Sequence, residues 1–191
     1  MRRLGILVLA FGTTGLVCAV GVLAGHAAVS PQNLYQRLLT SSIPDSALPS
    51  GYYSSTTGIS KPSDNAKRHH VVGEVEINLD NSDAVIDYIV FPTRADAVAD
   101  WKDANMRGHA KSTLTAPPDF PWPALMINQS ITGKNVFGKK VTNGVTFLGF
   151  TSKNVIVSAA TISTDNTESG DIPGTIRLGR YALKHLQALR K

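Results

Sequence analysis

The sequence predicts an α+β fold, an antiparallel sheet of about five to six strands with helices packed on one face. Segments in which apolar and polar residues alternate occur as neighbours joined by short turns, which is typical of antiparallel strands. Segments with apolar residues at helical spacing stand before, between and after them. The predicted order is helix, strand, strand, helix, strands, helix, and it follows an N-terminal export segment.

The export segment begins with the basic residues of Met1–Arg3 and continues with a charge-free apolar run over residues 4–23. Small residues follow, and we expect signal-peptide cleavage after Ala27. The run is also long enough to span a bilayer, so an uncleaved anchor with residues 28–191 outside is the alternative. Both interpretations predict that the rest of the chain is exported and is either secreted or held at the cell envelope.

The sequence predicts three parts: a signal peptide or anchor over residues 1–27, a short helix with a polar connector over 28–64, and one α+β domain over 65–191. Ser30 and Pro31 are typical of a helix start. The one cysteine of the chain lies in the export segment. The remainder therefore has no disulfide and must rely on its own core.

Alternation predicts a first strand over residues 69–79 with one solvated face. Turn-forming Asp, Asn and Ser residues join it to a second strand over residues 85–91, so we expect a hairpin. Later strands are predicted over residues 125–131, 136–141, 144–151 and 155–163.

A central helix is predicted to begin at the capping pair Thr93 and Asp96 and to end near Gly108. Ala95, Val98, Ala99 and Trp101 follow at helical spacing, and Asp100 and Asp103 are expected to face solvent. The last helix is predicted from Pro173 to Lys191, with leucines on one face.

Local motifs for chemistry are incomplete. A phosphate-loop pattern over residues 133–140 fails because Lys140 stands where Ser or Thr must bind Mg²⁺. A calcium-loop pattern that begins at Asp165 ends on Ile176 instead of the required Glu. The histidines after the export segment form no zinc-binding pair at helical spacing. We therefore expect no cofactor, no metal site and no catalytic residue from local motifs.

Three carboxylates fall on one side of the predicted hairpin. Glu74 and Glu76 share a strand face, and Asp87 lies across from them, which predicts either a solvated sheet face or a carboxylate cluster. An exported hydrolase with a spatially assembled site is the alternative function. It needs a cleft that holds His69 or His70 beside Glu74 or Asp87.

Charge is divided unevenly along the chain. Residues 28–119 carry 8 basic and 11 acidic residues, whereas residues 120–191 carry 9 basic and 3 acidic ones. The predicted basic contact surface comprises four residues of the last helix and two of an earlier turn: Arg177, Arg180, Lys184, Lys191, Lys139 and Lys140. Such a surface attracts anionic lipid or envelope polymer, although a merely solvated helix face gives the same pattern.

The proline-rich loop TAPPDFPWP, over residues 115–123, holds Phe120 and Trp122. These aromatic residues predict either a lid packed on the core or an exposed recognition loop. Together these observations predict an exported, non-enzymatic binding or interaction module at the cell envelope or outside the cell. Its expected partners are anionic lipid, envelope polymer or a protein. Nucleic acid is not expected for an exported chain, and membrane contact is expected only through an uncleaved N-terminal segment or at the bilayer surface.

Overall fold

The computed structural model describes residues 29–41, 48, 51–52, 55–79, 84–106, 113–134, 139–163 and 170–191. The predicted export segment, the predicted helix end at Gly108 and most of the loop that begins at Asp165 lie outside these ranges. Within them, no helix combines the length and the apolar character needed to cross a bilayer.

The helices and strands follow each other in this order: α1 (Pro31–Thr40), β1 (Ser55–Ser60), α2 (Asp64–Arg68), β2 (Gly73–Leu79), β3 (Ala84–Val90), α3 (Arg94–Met106), β4 (Thr113–Leu114), β5 (Ala124–Lys134), β6 (Lys140–Ser152), β7 (Val155–Ser163) and α4 (Ile172–Leu189).

The strands form one antiparallel sheet in the order β1-β2-β3-β7-β6-β5-β4. The predicted α+β class, the antiparallel sheet and the order of elements are confirmed. The hairpin of β2 and β3 is also confirmed, with Glu76 opposite Asp87. The strand predicted over residues 155–163 has the observed bounds of β7.

The described sheet has seven strands, more than the predicted five to six. The two-residue strand β4 was not predicted, and β1 lies where a polar connector was expected. Every residue of β1 pairs with β2, but its sequence STTGIS has no apolar alternation. The strand predicted over 136–141 lies partly outside the described ranges. Its last two residues and the strand predicted over 144–151 belong to one continuous strand, β6, because Gly144 pairs with β5 and β7 without interrupting the ladder.

The two faces of the sheet are covered differently. We call the face under α1 and α4 the core face: it holds the larger apolar cluster, with Leu34, Tyr88 and Leu178 buried. The helices α2 and α3 lie on the opposite face, over a smaller cluster that includes Phe91 and Trp101. Helices therefore cover the core face as predicted, and a second, shorter pair covers part of the opposite face.

The first and last described helices are in direct contact on the core face. The Arg37 guanidinium of α1 donates to the carbonyl oxygen of Leu189 at the end of α4, at 2.7 Å. Because Leu34 and Leu38 are buried in the same core, α1 is an integral part of the domain.

Candidate functional site

A cavity of about 330 Å³ lies between α3 and the opposite face of the sheet. The strands give it an apolar floor because alternate side chains of neighbouring strands point to the same face. The floor residues are Ile89, Leu125, Ile127, Phe147 and Ile156. Ala104 of α3 lines the cavity and is exposed to solvent, so it marks the mouth.

Trp101 closes one side of the cavity, and the missing side chain of Gly149 makes room for it. A Cβ atom at Gly149 would lie 2.9 Å from two ring carbons of Trp101 and 2.9 Å from a ring carbon of Phe147. Carbon atoms normally approach no closer than about 3.5 Å. The glycine therefore allows the two rings to pack directly on β6.

Asp100 supplies a buried carboxylate to the cavity wall, and only 4% of the residue is exposed. The Asn65 side-chain amide donates to its Oδ1 at 2.6 Å and to its backbone oxygen at 3.2 Å. Burial raises the pKa of Asp100, while the Asn65 hydrogen bond and then the nearby His69 act in the opposite direction. The wall thus presents an acceptor that one amide already orients.

Asp87 lies behind the wall on β3, where Ser158 of β7 connects it to the cavity. The Ser158 hydroxyl lines the cavity and donates to Asp87 Oδ2 at 3.0 Å. Burial raises the pKa of Asp87 to about 6, although the Ser158 hydrogen bond opposes the rise. The negative charges of Glu74 and Glu76 add to it. Asp87 is therefore a carboxyl group that titrates near neutral pH.

The three carboxylates lie on the side of the hairpin expected for them, and Asp100 of α3 adds a fourth on the same side. Glu74, Glu76 and Asp87 share the opposite face, and burial raises the pKa of Glu74, followed by smaller contributions from the charges of Glu76 and Asp100. Asp100 was expected to face solvent, and this is wrong. The face of α3 that meets the sheet carries residues at spacings of three and four, and Asp100 occupies one of those positions between Ala97 and Ala104.

The two histidines do not join the carboxylates of the sheet in any described contact. His69 Nε2 lies 2.9 Å from Asp103 Oδ2, at the junction of α2 and α3. His70 is exposed, in a left-handed conformation with φ of 60°. Among the described residues, no group of three His, Cys, Asp or Glu side chains has the geometry to hold a metal ion.

The basic residues predicted on the last helix are all exposed, but two of them have acidic partners. Arg180 forms a two-pronged contact with Asp119, with Nε 2.7 Å from Oδ2. Arg177 lies 3.9 Å from the Asp171 carboxylate. Lys184 and Lys191 are exposed as well.

Lys139 and Lys140 are exposed at the beginning of β6. The last turn of α4 lies near the C-terminal residue of this strand, because Arg190 donates to the Ser152 carbonyl oxygen. At about 3.4 Å per residue, these ends are about 40 Å apart. The six predicted basic residues therefore do not form one continuous patch.

The proline-rich loop combines the two alternatives expected for it. Phe120 is 7% exposed, and its ring centre lies 5.1 Å from that of Phe150 in the core. Trp122 is 81% exposed. One aromatic residue therefore fixes the loop to the core, and the other is displayed to solvent.

These features define an α+β domain with a mainly apolar cavity and an acidic wall. Comparison with models of known protein families finds no match, and comparison with curated proteins finds no similar chain.

Proposed function

We propose that this chain is an exported, non-enzymatic binding module that acts at the cell envelope or outside the cell and holds a small ligand in the cavity under α3. The observation that carries the proposal is the cavity itself. Its volume of about 330 Å³ and its apolar floor with a few converging polar groups are typical of small-ligand sites. The expected export rests on the N-terminal sequence.

The ligand we propose is apolar with one positively charged or hydrogen-bond-donating end. Among the described lining residues, the polar side chains are those of Ser63, Asn65, Asp100 and Ser158, and none of these residues is Lys or Arg. Asp100 is a buried acceptor, and Asp87 stands directly behind Ser158. A cation at this wall would gain from both carboxylates in a poorly hydrated site.

The alternative of an exported hydrolase has less support from the contacts. Nucleophilic catalysis by serine needs a base within hydrogen-bond reach of the hydroxyl. Ser158 has one such base, the Asp87 carboxylate, but no described contact joins this pair to a histidine, and His69 is held by Asp103. These are two separate pairs, an arrangement that fits a binding wall better than a catalytic set.

Binding can be tested on the purified exported protein with three probes of equal length: octylamine, octanol and octanoate. A Trp122→Phe background leaves Trp101, which lines the cavity, as the remaining tryptophan. We expect its fluorescence to change with octylamine at the lowest concentration, with octanol at a higher one, and not with octanoate. No response to any probe would overturn the cavity proposal, and equal responses to octylamine and octanoate would overturn its acidic character.

Two variants of exposed alanines on α3 provide a matched comparison. Ala104→Leu places a larger side chain at the cavity mouth and should weaken octylamine binding by about tenfold. Ala95→Leu adds the same group at an exposed position that does not line the cavity, and it should leave binding unchanged. Equal weakening by both leucine variants would count against the assigned mouth.

Asp100→Asn should remove the preference for octylamine over octanol without abolishing octanol binding.

The basic face of α4 remains a second proposed contact surface for anionic lipid or envelope polymer. The exposure of Arg177, Arg180 and Lys184 supports it. The ion pairs of the two arginines with Asp171 and Asp119 reduce its net charge. Changing all three residues to Gln should weaken binding to anionic liposomes, and unchanged binding would exclude this surface.

A further inference from the structure

Trp122 is a large aromatic side chain displayed by a loop that is itself fixed. On one side of it, Phe120 is buried against Phe150, and Asp119 binds Arg180 of α4. On the other side, the Thr151 amide donates to the Pro123 carbonyl oxygen at 3.1 Å. Contiguous exposed apolar patches, in contrast to single exposed apolar residues, are typical of contact sites.

Trp122 forms one wall of an apolar depression of about 360 Å³ outside the core. Eight further residues line it: Leu114, Thr115, Ala116, Pro117, Pro118, Phe120, Ala124 and Leu125. Among the described lining residues, Thr115 carries a hydroxyl and Trp122 an indole N–H, and the other seven side chains are apolar. The depression therefore offers apolar contact and few side-chain hydrogen bonds.

Cations stand at the same end of the sheet. Thr151, whose hydroxyl donates to the Trp122 carbonyl oxygen, is two residues before Lys153 in the turn between β6 and β7. Arg190 donates to the Ser152 carbonyl oxygen at 2.7 Å, which brings Lys191 to this end. Lys153 and Lys191 are both exposed. We call Trp122, Lys153, Arg190 and Lys191 the tryptophan end.

The acidic residue closest in sequence to Trp122 is already neutralised. Asp119 has both carboxylate oxygens on the Arg180 guanidinium, at 2.7 and 3.3 Å. Its charge therefore does little to offset the positive charge of the tryptophan end.

We propose that the tryptophan end is a contact surface for an anionic lipid bilayer, with Trp122 at the headgroup level and Lys153 and Lys191 facing the lipid phosphates. Tryptophan favours the membrane–water interface, and each basic residue near an anionic surface adds attraction. The side chains that line the depression are mostly apolar, so contact with a soluble polysaccharide would leave more hydroxyl groups without hydrogen bonds than contact with lipid acyl chains would. The inference rests on the proposed export but is independent of the cavity under α3.

The test is co-sedimentation of the exported protein with vesicles of phosphatidylglycerol or of phosphatidylcholine at low salt. We expect binding to phosphatidylglycerol alone and a loss of affinity of about tenfold in Trp122→Ala. The matched control is Ile59→Ala, which removes an apolar side chain that is 74% exposed on the edge strand β1. It should bind as the unchanged protein does.

Two double variants test whether binding depends on the charges of the tryptophan end or only on the net charge of the protein. Lys153→Asn with Lys191→Gln should weaken vesicle binding by about fivefold or more per charge. Asparagine is chosen because Lys153 has φ of 54°, a conformation that asparagine tolerates. Lys139→Gln with Lys140→Gln removes two charges at the far end of β6 and should have no such effect.

Brominated phosphatidylglycerol should quench the exposed Trp122 and spare the buried Trp101. Equal binding by Trp122→Ala, equal loss in the two lysine pairs, or no binding to phosphatidylglycerol vesicles would each overturn the proposal. Trp122-dependent binding to soluble dextran sulfate without binding to vesicles would also overturn it, in favour of a polysaccharide. A failure here leaves the alkylamine titration of the cavity unaffected.

Discussion

Two single residues set the shape and the charge of the cavity. Gly149 gives Trp101 and Phe147 the room to pack on β6, and Asp87 places a carboxyl group beneath the Ser158 hydroxyl of the wall. Gly149 acts because it has no side chain. Asp87 acts through a charge whose formation is made less favourable by burial.

Gly149→Ala should lower the free energy of unfolding by about 1–3 kcal/mol, because the added methyl group meets two rings that must move. Thermal or urea unfolding measures this loss. Gly133→Ala is the matched control on the neighbouring strand, since nothing lies within 4 Å of its new Cβ atom. If both variants unfold alike, Trp101 does not pack on Gly149.

Asp87→Asn should raise the free energy of unfolding at pH 8 by about 1–3 kcal/mol. The pKa of Asp87 is raised from 3.8 to about 6. Between these values the folded state binds more protons than the unfolded state does. Stability linked to Asp87 is therefore fully present below about pH 4 and is lost as pH rises through about 6.

The same pair of proteins provides its own control at low pH. Urea unfolding at pH 3.5 should show little advantage for Asp87→Asn, because the Asp87 carboxyl is then protonated in the folded state and mostly protonated in the unfolded state. The raised pKa of Asp100 acts in the same direction in both proteins and cancels from the difference. The charge of Glu74 raises the pKa of Asp87, so the difference between the two proteins includes the coupling of these two carboxyls. An advantage of equal size at pH 3.5 and pH 8 would contradict the assigned titration.

At the scale of elements, two side-chain contacts join α2 to α3 beside the cavity. Asn65 at the start of α2 donates to Asp100, and His69 at its end contacts Asp103. The helix α2 has five residues, too few to be stable in isolation. Its position therefore depends on these contacts and on the burial of Ala66.

Asn65→Ala should destabilise the protein by about 1–3 kcal/mol, because the buried Asp100 carboxylate loses its amide donor. Chemical unfolding at pH 7 measures the effect. Lys67→Ala, on the same helix, removes only an exposed ion pair with Asp64, and the loss of stability should be clearly smaller because solvent screens such pairs. Equal losses from the two substitutions would show that the contact with Asp100 contributes no more than an exposed pair.

Over the whole molecule, strand bounds were predicted best where the residue pattern reflects burial, as in β7. Residues 155–163 were predicted with their observed bounds, since they are apolar and lie between turn residues. The strand β1 was missed because an edge strand pairs through its backbone, and the polar STTGIS sequence can do so without apolar alternation.

The candidate site was predictable only in part for a related reason. Period-two alternation placed Glu74, Glu76 and Asp87 on one face. It could not show that α3 covers part of this face and that a carboxylate occupies a buried helix position. The cavity itself arises from the tertiary packing of α3 over residues of four strands, β3, β5, β6 and β7, which no local pattern contains.

If the proposed export takes place, the contact between α1 and α4 has a consequence for the order of events. Arg37 meets Leu189 across 152 positions of the chain. In a chain that crosses a membrane from its N-terminus, α1 emerges long before its partner. Contacts between residues far apart in the sequence form slowly. We therefore expect the apolar face of α1 to stay exposed after export, where chaperones and proteases can bind it, until α4 has been exported as well.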